Sequence, residues 1–265
     1  MYEELYAPLP DAAAYLARIG LAKETPAPTV EWLDRLVHAQ LTHIPFDDMD
    51  CWGRGDTPSL AIADIFDKIV VRHRGGYCFE LNTALHSLLL AMGFDAYPVV
   101  VRIIMGPGPA RPYAHKGVVV RAEGKLWYCD VGFGGPGPKG VVEMSADERD
   151  IDGVLYRCAF PEDYCEIQKK DGEAWSVLFR FPMHPIEPCD FIPLNYYIGG
   201  QAGFGFRAWR TVNLTLPNGS KALTNDHLTI RVGGNVTERD LKTKEEVEAA
   251  LREEFGIDVK LPDKA

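Results

Sequence analysis

A change of hydrophobic period near residue 93 is the feature that most restricts what this chain can fold into. Before it, apolar residues recur every three or four positions, which is the period of amphipathic helices. After it, short runs of valine, isoleucine, tyrosine and tryptophan are separated by turn residues, which is the pattern of β-strands. Helices followed by strands predict an α+β fold whose strands form an antiparallel sheet or a small barrel.

The segment before residue 93 is predicted to contain four helices. Their starts fall at Asp11, Thr29, Ser59 and Tyr77. The fourth helix ends near Met92, because Gly93 can adopt the left-handed conformation that stops a helix. One more helix is predicted near the end of the chain, where the capping box Thr243-x-x-Glu246 opens it and Gly256 closes it.

The predicted strands are bounded by turn residues. They cover residues 97–104, 116–121, 125–131, 154–160, 164–169, 175–181, 211–216, 228–232 and 257–261. The turn Pro217-Asn218-Gly219 makes the run at 211–216 resemble one arm of a hairpin.

Charge and cysteine usage argue against several classes of protein. The formal net charge is −10 and no block of lysine or arginine is present, so nucleic acid is not an expected partner. The apolar stretches are far shorter than the roughly 20 residues of a membrane helix, and the acidic N-terminus lacks the apolar core of a signal peptide. The six cysteines form no C-x-x-C pair. We therefore expect a cytoplasmic protein with reduced thiols, no membrane partner and no metal site.

The segment with the strongest chemical signal is Arg74-Gly75-Gly76-Tyr77-Cys78-Phe79-Glu80-Leu81-Asn82. Two glycines lead into a helix whose first turn contains Cys78. The first N–H groups of a helix have no intrahelical acceptor and favour negative charge. They can therefore stabilise a thiolate, and also the oxyanion that forms when the thiolate attacks a carbonyl. From this segment alone, a buried and unreactive core cysteine is an equally good interpretation.

A cysteine nucleophile needs a histidine base and a group that orients the histidine. His115 begins one predicted strand, and Asp130 lies in the next strand, after the turn Ala122-Glu123-Gly124. Two of the three simple hairpin registers bring Asp130 beside His115 on one face of the sheet. There the carboxylate would bind one ring nitrogen and leave the other nitrogen facing Cys78.

Other interpretations of the histidines and of the aspartate remain open. His115 can be an exposed residue at a strand end, and Asp130 can cap the turn at Val131-Gly132. The remaining candidates have no comparable carboxylate in the predicted hairpin. We interpret three of them as structural or exposed residues, namely His43, His73 and His86. The other two, His184 and His227, are interpreted as loop residues.

Together these segments resemble the arylamine N-acetyltransferase family. The run Arg-Gly-Gly-x-Cys-x-Glu-x-Asn at 74–82 and the run Asp-Val-Gly-Phe-Gly at 130–134 match two hallmarks of that family. His115 lies between them, where the family has its histidine. Supporting similarity at 15–20, 43–46 and 255–258 extends the likeness over nearly the whole chain.

This resemblance implies a papain-like catalytic core with Cys78, His115 and Asp130 as a triad. It also implies three regions. They are a helical bundle at 1–93 carrying the nucleophile, an antiparallel β-barrel at 94–200 carrying the histidine and the aspartate, and an α/β lid at 201–265. The implied activity is a ping-pong N-acetyl transfer of xenobiotic metabolism. The implied acyl donor is acetyl-CoA. The implied acceptor is an aromatic amine, hydrazine or hydroxylamine, and no metal is expected.

The resemblance further assigns roles around the triad. Phe46 and Phe133 are expected to line the acceptor pocket, with a plain core role as the alternative. Arg74 and Asp47 are expected to support the site as a pair. One loop is expected to line the acyl-CoA cleft and to include Gly132, Gly134 and Gly135. Its backbone N–H groups could bind the phosphates of coenzyme A.

Two segments depart from the family pattern. Pro45-Phe46-Asp47-Asp48 stands where the family often has Pro-Phe-Glu-Asn, so the carboxylate that meets Arg74 is one methylene shorter. The segment 195–200 replaces a stretch containing serine, threonine and proline near the expected mouth of the active site. That change leaves coenzyme A contacts and acceptor choice open.

The same triad serves other chemistries. One alternative is an amide synthase acting on carrier-bound thioesters, and another is a CoA-independent cysteine peptidase or transglutaminase-like enzyme. The third alternative is a non-enzymatic binding module, which requires an unreactive Cys78. Use of acetyl-CoA would favour the transferase over the amide synthase, and peptide cleavage without CoA would reveal the peptidase. Rapid, pH-dependent labelling of a single thiol by iodoacetamide would argue against the binding module.

Overall fold

The computed structural model describes residues 2–54, 57–104, 111–200 and 205–261 of the 265-residue chain. Helices dominate the segment before residue 93, as the hydrophobic period predicts. They are α1 (Ala12–Arg18), α2 (Val30–His43), α3 (Met49–Arg54), α4 (Ile62–Phe66) and α5 (Cys78–Ala91). A short strand, β1 (Phe46–Asp47), lies between α2 and α3. The later helices are α6 (Phe191–Asn195) and α7 (Lys244–Phe255).

Local capping explains where several helices begin and end. The Asp11 carboxylate accepts a hydrogen bond from the N–H of Ala14, and the Thr29 hydroxyl accepts one from the N–H of Trp32. These bonds satisfy donors that the first helical turn leaves free. Gly93, just beyond α5, has a φ of 81°, which is the left-handed stop that the sequence predicts.

The third predicted helix begins later than expected. Its predicted start was Ser59, but α4 begins at Ile62. The Ser59 hydroxyl accepts a hydrogen bond from the N–H of Ala61 and donates one to Asp64, so it closes a separate turn before the helix. A π-helical turn at Asp67–Val71 then continues directly from α4.

The strands between residues 95 and 182 form an antiparallel sheet that curves into a nearly closed barrel. They are β2 (Asp95–Ile103), β3 (His115–Ala122), β4 (Lys125–Cys129), β5 (Val142–Glu143), β6 (Arg149–Ile151), β7 (Val154–Ala159), β8 (Tyr164–Asp171) and β9 (Ala174–Pro182). Their order in the sheet is β5-β4-β3-β2-β9-β8-β7-β6. The two ends approach each other where the N–H of Cys158 on β7 donates to the carbonyl of Ser145, just after β5, at 2.8 Å. The α+β class and the antiparallel barrel are therefore confirmed.

A second sheet brings together two distant parts of the chain. Its C-terminal strands are β10 (Thr211–Leu216), β11 (Gly219–Thr224), β12 (His227–Val232) and β13 (Asn235–Asp240). β1 pairs with β10, with Phe46 opposite Asn213 and Asp47 opposite Val212. The region boundaries at 93/94 and 200/201 stay predictions, and residues 201–204 beside the second boundary lie outside the described residues.

The predicted final strand at 257–261 is wrong. This segment runs back along α7 without pairing to a strand. The Glu248 side chain of α7 accepts a hydrogen bond from the N–H of Leu261 and pairs with Lys260, while the N–H of Ile257 donates to the carbonyl of Leu251. The apolar residues of the segment therefore pack against the helix and not into a sheet.

α5 runs through the largest core and leads directly to the site. Its residues Phe79, Leu85 and Leu88 pack with Val118 and Val120 on the outer face of the barrel. Because a helix buried on several sides cannot shift without opening voids, the position of its first turn is strongly constrained. No helix among the described residues combines the length and the apolar character needed to cross a membrane.

Candidate active site

Cys78 is the first residue of α5, and the residue is only 3% exposed. The preceding glycines allow the chain to approach a neighbouring segment closely. A Cβ atom on Gly75 would lie 2.2 Å from the carbonyl oxygen of Pro45, which no side chain tolerates. The backbone at Gly76 forms a parallel bridge with Phe46, and its carbonyl accepts a hydrogen bond from the N–H of Asp47 at 2.9 Å. The two glycines thus fix the entry into the helix.

Buried ion pairs and hydrogen bonds fix the segment that leads into α5. The Arg74 guanidinium contacts Oδ1 of Asp47 at 3.0 Å, and the N–H of Gly75 donates to Oδ2 of the same carboxylate. Lys68 pairs with Glu80 at 2.8 Å, and Glu80 also accepts a hydrogen bond from the N–H of Tyr77. Breaking such a buried pair by removing one partner costs about 3–5 kcal/mol. The side chain of Asp47, one methylene shorter than the glutamate that the family often has, still reaches Arg74.

The hairpin of β3 and β4 sets the distance between His115 and Asp130. Its two-residue loop is Glu123-Gly124, so Ala122 pairs with Lys125. This is one of the two favourable registers, in which Asp130 lies diagonally from His115 on one face. Nε2 of His115 lies 2.6 Å from Oδ2 of Asp130. The structure therefore brings these two predicted residues together.

The Asp130 carboxylate is fully engaged by hydrogen bonds. Besides His115, it accepts bonds from the Tyr128 hydroxyl at 2.9 Å, from the Asn82 side-chain amide at 3.0 Å and from the N–H of Gly132 at 2.9 Å. Burial alone would raise the pKa of Asp130, but the charge of His115 and these donors outweigh it and hold the pKa below its usual range. Asp130 is therefore a fixed negative charge.

His115 is buried and its ring is held by aromatic neighbours. Phe179 stacks on it at a centroid distance of 5.9 Å, and Phe133 meets it edge-on at 6.2 Å. Burial opposes charge on the imidazole, but the Asp130 carboxylate outweighs burial and raises the pKa of His115. The Cys78 side chain, whose Sγ lies 3.9 Å from the carbonyl of Ala114, the residue before His115, raises that pKa further. Because Nε2 is bound to Asp130, Nδ1 is the nitrogen left for Cys78.

A cavity of about 780 Å³ opens next to these residues, between the loop after β4 and the second sheet. Its lining includes Phe46, Phe133, Gly134, Gly135 and Asp130. Gly134 has a φ of 68°, and a Cβ atom there would lie 2.7 Å from the Phe46 ring. A side chain at this position would be strained and would collide with the Phe46 ring.

Gly132 takes a different position from the other two glycines of that loop. Among the described residues it is not part of the cavity lining. A Cβ atom on Gly132 would lie 2.7 Å from Cα of Cys78 and 2.8 Å from the Asn82 side chain. Gly132 thus lies where the loop after β4 contacts the first turns of α5.

Two residues of the site escaped the sequence analysis. Asn82 lies one helical turn beyond Cys78, donates to both Asp130 and the carbonyl of Lys116, and accepts a hydrogen bond from the N–H of Val131. Its place in the 74–82 hallmark was a signal that it matters. Tyr128 could have been found from strand alternation, because it lies two positions before Asp130 on the same face.

The remaining histidines with described partners are bound elsewhere. His43 contacts the carbonyl of Ala39, and His86 contacts the carbonyl of Ala96. His227, on the surface, pairs with Asp240 at 2.7 Å. Within the described ranges no group of three or more histidine, cysteine, aspartate or glutamate side chains is arranged to hold a metal ion.

Comparisons with known proteins agree with this site. A sequence model of the N-acetyltransferase family matches residues 29–264. The arylamine N-acetyltransferase of Escherichia coli (strain K12) is 29% identical over 234 residues, which cover 86% of this chain and 83% of that protein. The solved structure of arylamine N-acetyltransferase from Salmonella typhimurium has a TM-score of 0.87 at 26% identity, covering 96% of this chain and 93% of that one.

A further solved structure, the arylamine N-acetyltransferase of Mycobacterium marinum in complex with CoA, has a TM-score of 0.83 at 23% identity. The match covers 94% of this chain and 93% of that one, and it extends the agreement in fold. Since the family model covers most of the sequence and the relatives are covered nearly end to end, the chain belongs to the arylamine N-acetyltransferase family and is an acyltransferase.

Proposed function

We propose that this chain transfers an acetyl group from acetyl-CoA to an arylamine, arylhydrazine or arylhydroxylamine through an acyl-enzyme on Cys78. The observation that carries the proposal is the 2.6 Å contact of His115 with Asp130, with Cys78 Sγ 3.9 Å from the carbonyl of the adjacent Ala114, beside a cavity that Asp130 and Phe133 line. The family membership of the chain and the printed name of its E. coli relative support the acceptor class.

In the first half-reaction, His115 takes the proton of the Cys78 thiol, and Asp130 stabilises the imidazolium that results. The thiolate attacks the thioester carbonyl of the donor, so that a bond forms between the cysteine sulfur and the carbonyl carbon. The bond from that carbon to the sulfur of coenzyme A then breaks, and His115 returns the proton to the leaving thiolate. The N–H of Cys78 begins the helix without an intrahelical acceptor, so it is a candidate donor to the oxyanion.

In the second half-reaction, the acceptor nitrogen attacks the acyl group on Cys78. His115 takes a proton from the nitrogen and delivers it to the cysteine sulfur as the carbon–sulfur bond breaks. The free enzyme is restored with its thiol protonated. Aromatic amines suit this step because they are largely unprotonated near neutral pH, and Phe46 and Phe133 offer ring faces on which an aryl group can stack.

The cavity has a suitable set of donors for the phosphates of coenzyme A. The backbone at Gly134-Gly135 borders it, and the cationic side chains on its lining are Lys139, Lys221 and Arg231. Charge-assisted hydrogen bonds to phosphate are among the stronger polar contacts in proteins. These residues would hold the donor while its thioester lies at Cys78.

We also propose a cytoplasmic location. Each of the cysteines is free, and those in the barrel and the helices are buried as thiols. A reduced thiol set of this kind matches the redox conditions of the cytoplasm.

Mass spectrometry of the intact protein after mixing with acetyl-CoA tests the proposal. We expect an increase of about 42 Da on Cys78, because a hydrogen is replaced by an acetyl group at the nucleophile. Addition of an arylamine should remove the adduct and yield the N-acetyl product. Cys189→Ala is the matched control, since Cys189 is the partly exposed cysteine and should not carry the adduct.

An adduct that persists in Cys78→Ser would contradict the assignment of the nucleophile. Absence of any adduct from acetyl-CoA, combined with acylation by a carrier-bound thioester, would favour the amide synthase instead. Peptide cleavage without coenzyme A would favour the peptidase alternative.

A further inference from the structure

We propose that Asn213 is a specificity-determining residue that selects acceptors whose aryl ring carries a carboxylate at the position opposite the amine. The inference rests on the proposed function and names the class of acceptor that the same site prefers. It starts from β1, which connects two distant parts of the chain. One edge of β1 forms the parallel bridge between Phe46 and Gly76, and the other edge pairs Phe46 with Asn213.

The spacing of these paired segments sets a length for the acceptor. Adjacent paired strands lie about 4.8 Å apart, so Asn213 lies about 10 Å from Gly76 across β1. Gly76 precedes Cys78 by two residues at the entry to α5. If the amine of a ring bound over Phe46 points towards Cys78, the substituent at the other end of the ring points towards Asn213.

The Asn213 side chain lies on the cavity face of β10. Residues directly opposite each other in an antiparallel pair have their side chains on one face, so Asn213 shares the face of the Phe46 ring. Both residues line the cavity. The neighbouring Val212 is fully buried on the other face, in the apolar cluster that includes Leu251 of α7. Strand alternation therefore directs the amide of Asn213 towards the cavity.

The Asn213 amide is available to a ligand. In the portions of the chain that the structure covers, it forms no side-chain hydrogen bond with another residue. The Phe46 ring beside it is fixed, because Phe206 packs on it at a centroid distance of 5.7 Å and the backbone at Gly134 lies close to it. A side-chain amide has two N–H donors. A fixed ring with two unused donors beside it suits an aryl group that carries a hydrogen-bond acceptor.

The charges along the cavity favour an anionic acceptor group over a neutral one. The cationic residues of its lining are Lys139, Lys221 and Arg231. Asp130 is the single acidic residue of the described lining, and its carboxylate already accepts hydrogen bonds from four donors. A cleft lined mainly by one sign of charge attracts ligands of the opposite sign.

Arg231 extends the same face of the sheet towards the far end of the cavity. It lies opposite Ser220, which in turn lies opposite Thr215, two positions after Asn213 on β10. Lys139 and Lys221 pair with carboxylates outside the cavity, whereas Arg231 forms no ion pair with any residue that the structure describes. A carboxylate bound to the Asn213 amide would therefore lie on the side of the cavity that has an unpaired cation.

The test compares two acceptors, 4-aminobenzoate and 4-methylaniline, in wild type and in Asn213→Leu. Both amines attack the same acetyl-enzyme, so the ratio of their kcat/KM values does not depend on the donor reaction or on the folded fraction. Leucine has a similar shape but no N–H donor. We expect the ratio of carboxylate to methyl acceptor to fall about tenfold, the lower end for a hydrogen bond to a charged group, because Asn213 is partly exposed. An unchanged ratio would overturn the inference.

Two further variants sharpen the comparison. Asn235→Leu is the matched control, because Asn235 is an exposed residue of β13 outside the cavity lining, and its ratio should equal that of wild type. An equal fall in this control would overturn the inference. Asn213→Asp keeps the size of the side chain and repels a carboxylate, so it decides the matter if Asn213→Leu folds poorly. A ratio in Asn213→Asp at or above that of wild type would contradict the role of Asn213.

Equilibrium binding separates this inference from the proposed function, because it needs no acyl transfer. Calorimetry with 4-aminobenzoate and Cys78→Ala should show binding that Asn213→Leu, added to Cys78→Ala, weakens about tenfold. Wild-type protein that forms no acetyl adduct would contradict the proposed function, and the calorimetry would still decide the role of Asn213. Wild-type protein that acetylates both amines, with the same ratio in Asn213→Leu, would contradict the role of Asn213 alone.

Discussion

Two sets of buried charges flank Cys78, and they differ in whether a proton can move within them. On one side, Lys68 pairs with Glu80 beneath the first turn of α5. On the other side, His115 pairs with Asp130 in the barrel. The carboxylates around Lys68 outweigh its burial and raise its pKa, so it stays charged at every physiological pH. An imidazole gains and loses its proton readily. The first set holds the backbone, whereas the second can exchange a proton with the nucleophile.

The largest expected effect comes from removing the charge of the second set. In Asp130→Asn, the amide cannot stabilise the imidazolium, so we expect the rate of Cys78 acetylation to fall about a thousandfold. Single-turnover mass spectrometry with acetyl-CoA measures this rate. Asp95→Asn is the control, since Asp95 pairs with Arg121 on the surface and should leave the rate unchanged. A fall of less than about tenfold in Asp130→Asn would remove Asp130 from the mechanism.

The next largest effect tests whether the pair of Lys68 and Glu80 has a structural role. Lys68→Met leaves Glu80 buried without its cation, and we expect the free energy of unfolding to fall by about 3–5 kcal/mol. Guanidinium denaturation measures the loss. Arg72→Met, which removes an exposed pair with Asp67, should cost no more than about 1 kcal/mol. Equal losses of unfolding free energy in the two variants would mean that the buried pair of Lys68 and Glu80 contributes no more to stability than an exposed pair.

A third prediction concerns the buried carboxyl group of Asp48, which neighbours Asp47 and forms no ion pair within the described ranges. One oxygen of Asp48 accepts a hydrogen bond from the N–H of Thr211, and the other is buried with no partner among the described residues. Burial, with a further contribution from Asp47, raises the pKa of Asp48 to about 8. Its contribution to stability is therefore greatest below its ordinary pKa of 3.8 and declines as pH rises towards 8.

Asp48→Asn should remove this decline, because the amide stays neutral at every pH. We expect the variant to gain about 1–3 kcal/mol over wild type near pH 8, and much less near pH 4. Denaturation at the two pH values measures the difference. Asp152→Asn serves as the comparison, because Asp152 is an exposed carboxylate paired with Lys139. The same difference from wild type at both pH values would mean that Asp48 does not titrate in this range.

The smallest expected effect returns to the second set. Tyr128→Phe removes one donor to Asp130 but leaves His115, Asn82 and Gly132 bound to it. A hydrogen bond to a charged group is worth about 1.5–3 kcal/mol. Because Asp130 keeps its three other donors, we expect less than this range to reach the activation free energy, so the acetylation rate should fall about tenfold or less. Tyr156→Phe, at a buried tyrosine of β7, controls for removal of a hydroxyl from the barrel. A thousandfold fall would place Tyr128 on the same level as Asp130.

The sequence by itself determined those structural elements that depend on interactions between residues close together in the chain. The caps at Asp11 and Thr29 fix helix starts because donor and acceptor are three positions apart. The hairpin of β3 and β4 brings His115 to Asp130 because a short turn sets the register of both strands. The nucleophile at the first turn of α5 follows from the same short-range logic.

Tertiary structure alone decided the features that join distant segments. The pairing of β1 with β10, the bond from Asn82 to Asp130 and the packing of 257–261 on α7 connect residues that no local pattern relates. The burial of Lys116 beside Thr83 is of the same kind. Such contacts depend on which surfaces the whole core brings together, because short-range propensity is weak compared with the free energy of burying apolar surface and satisfying buried polar groups.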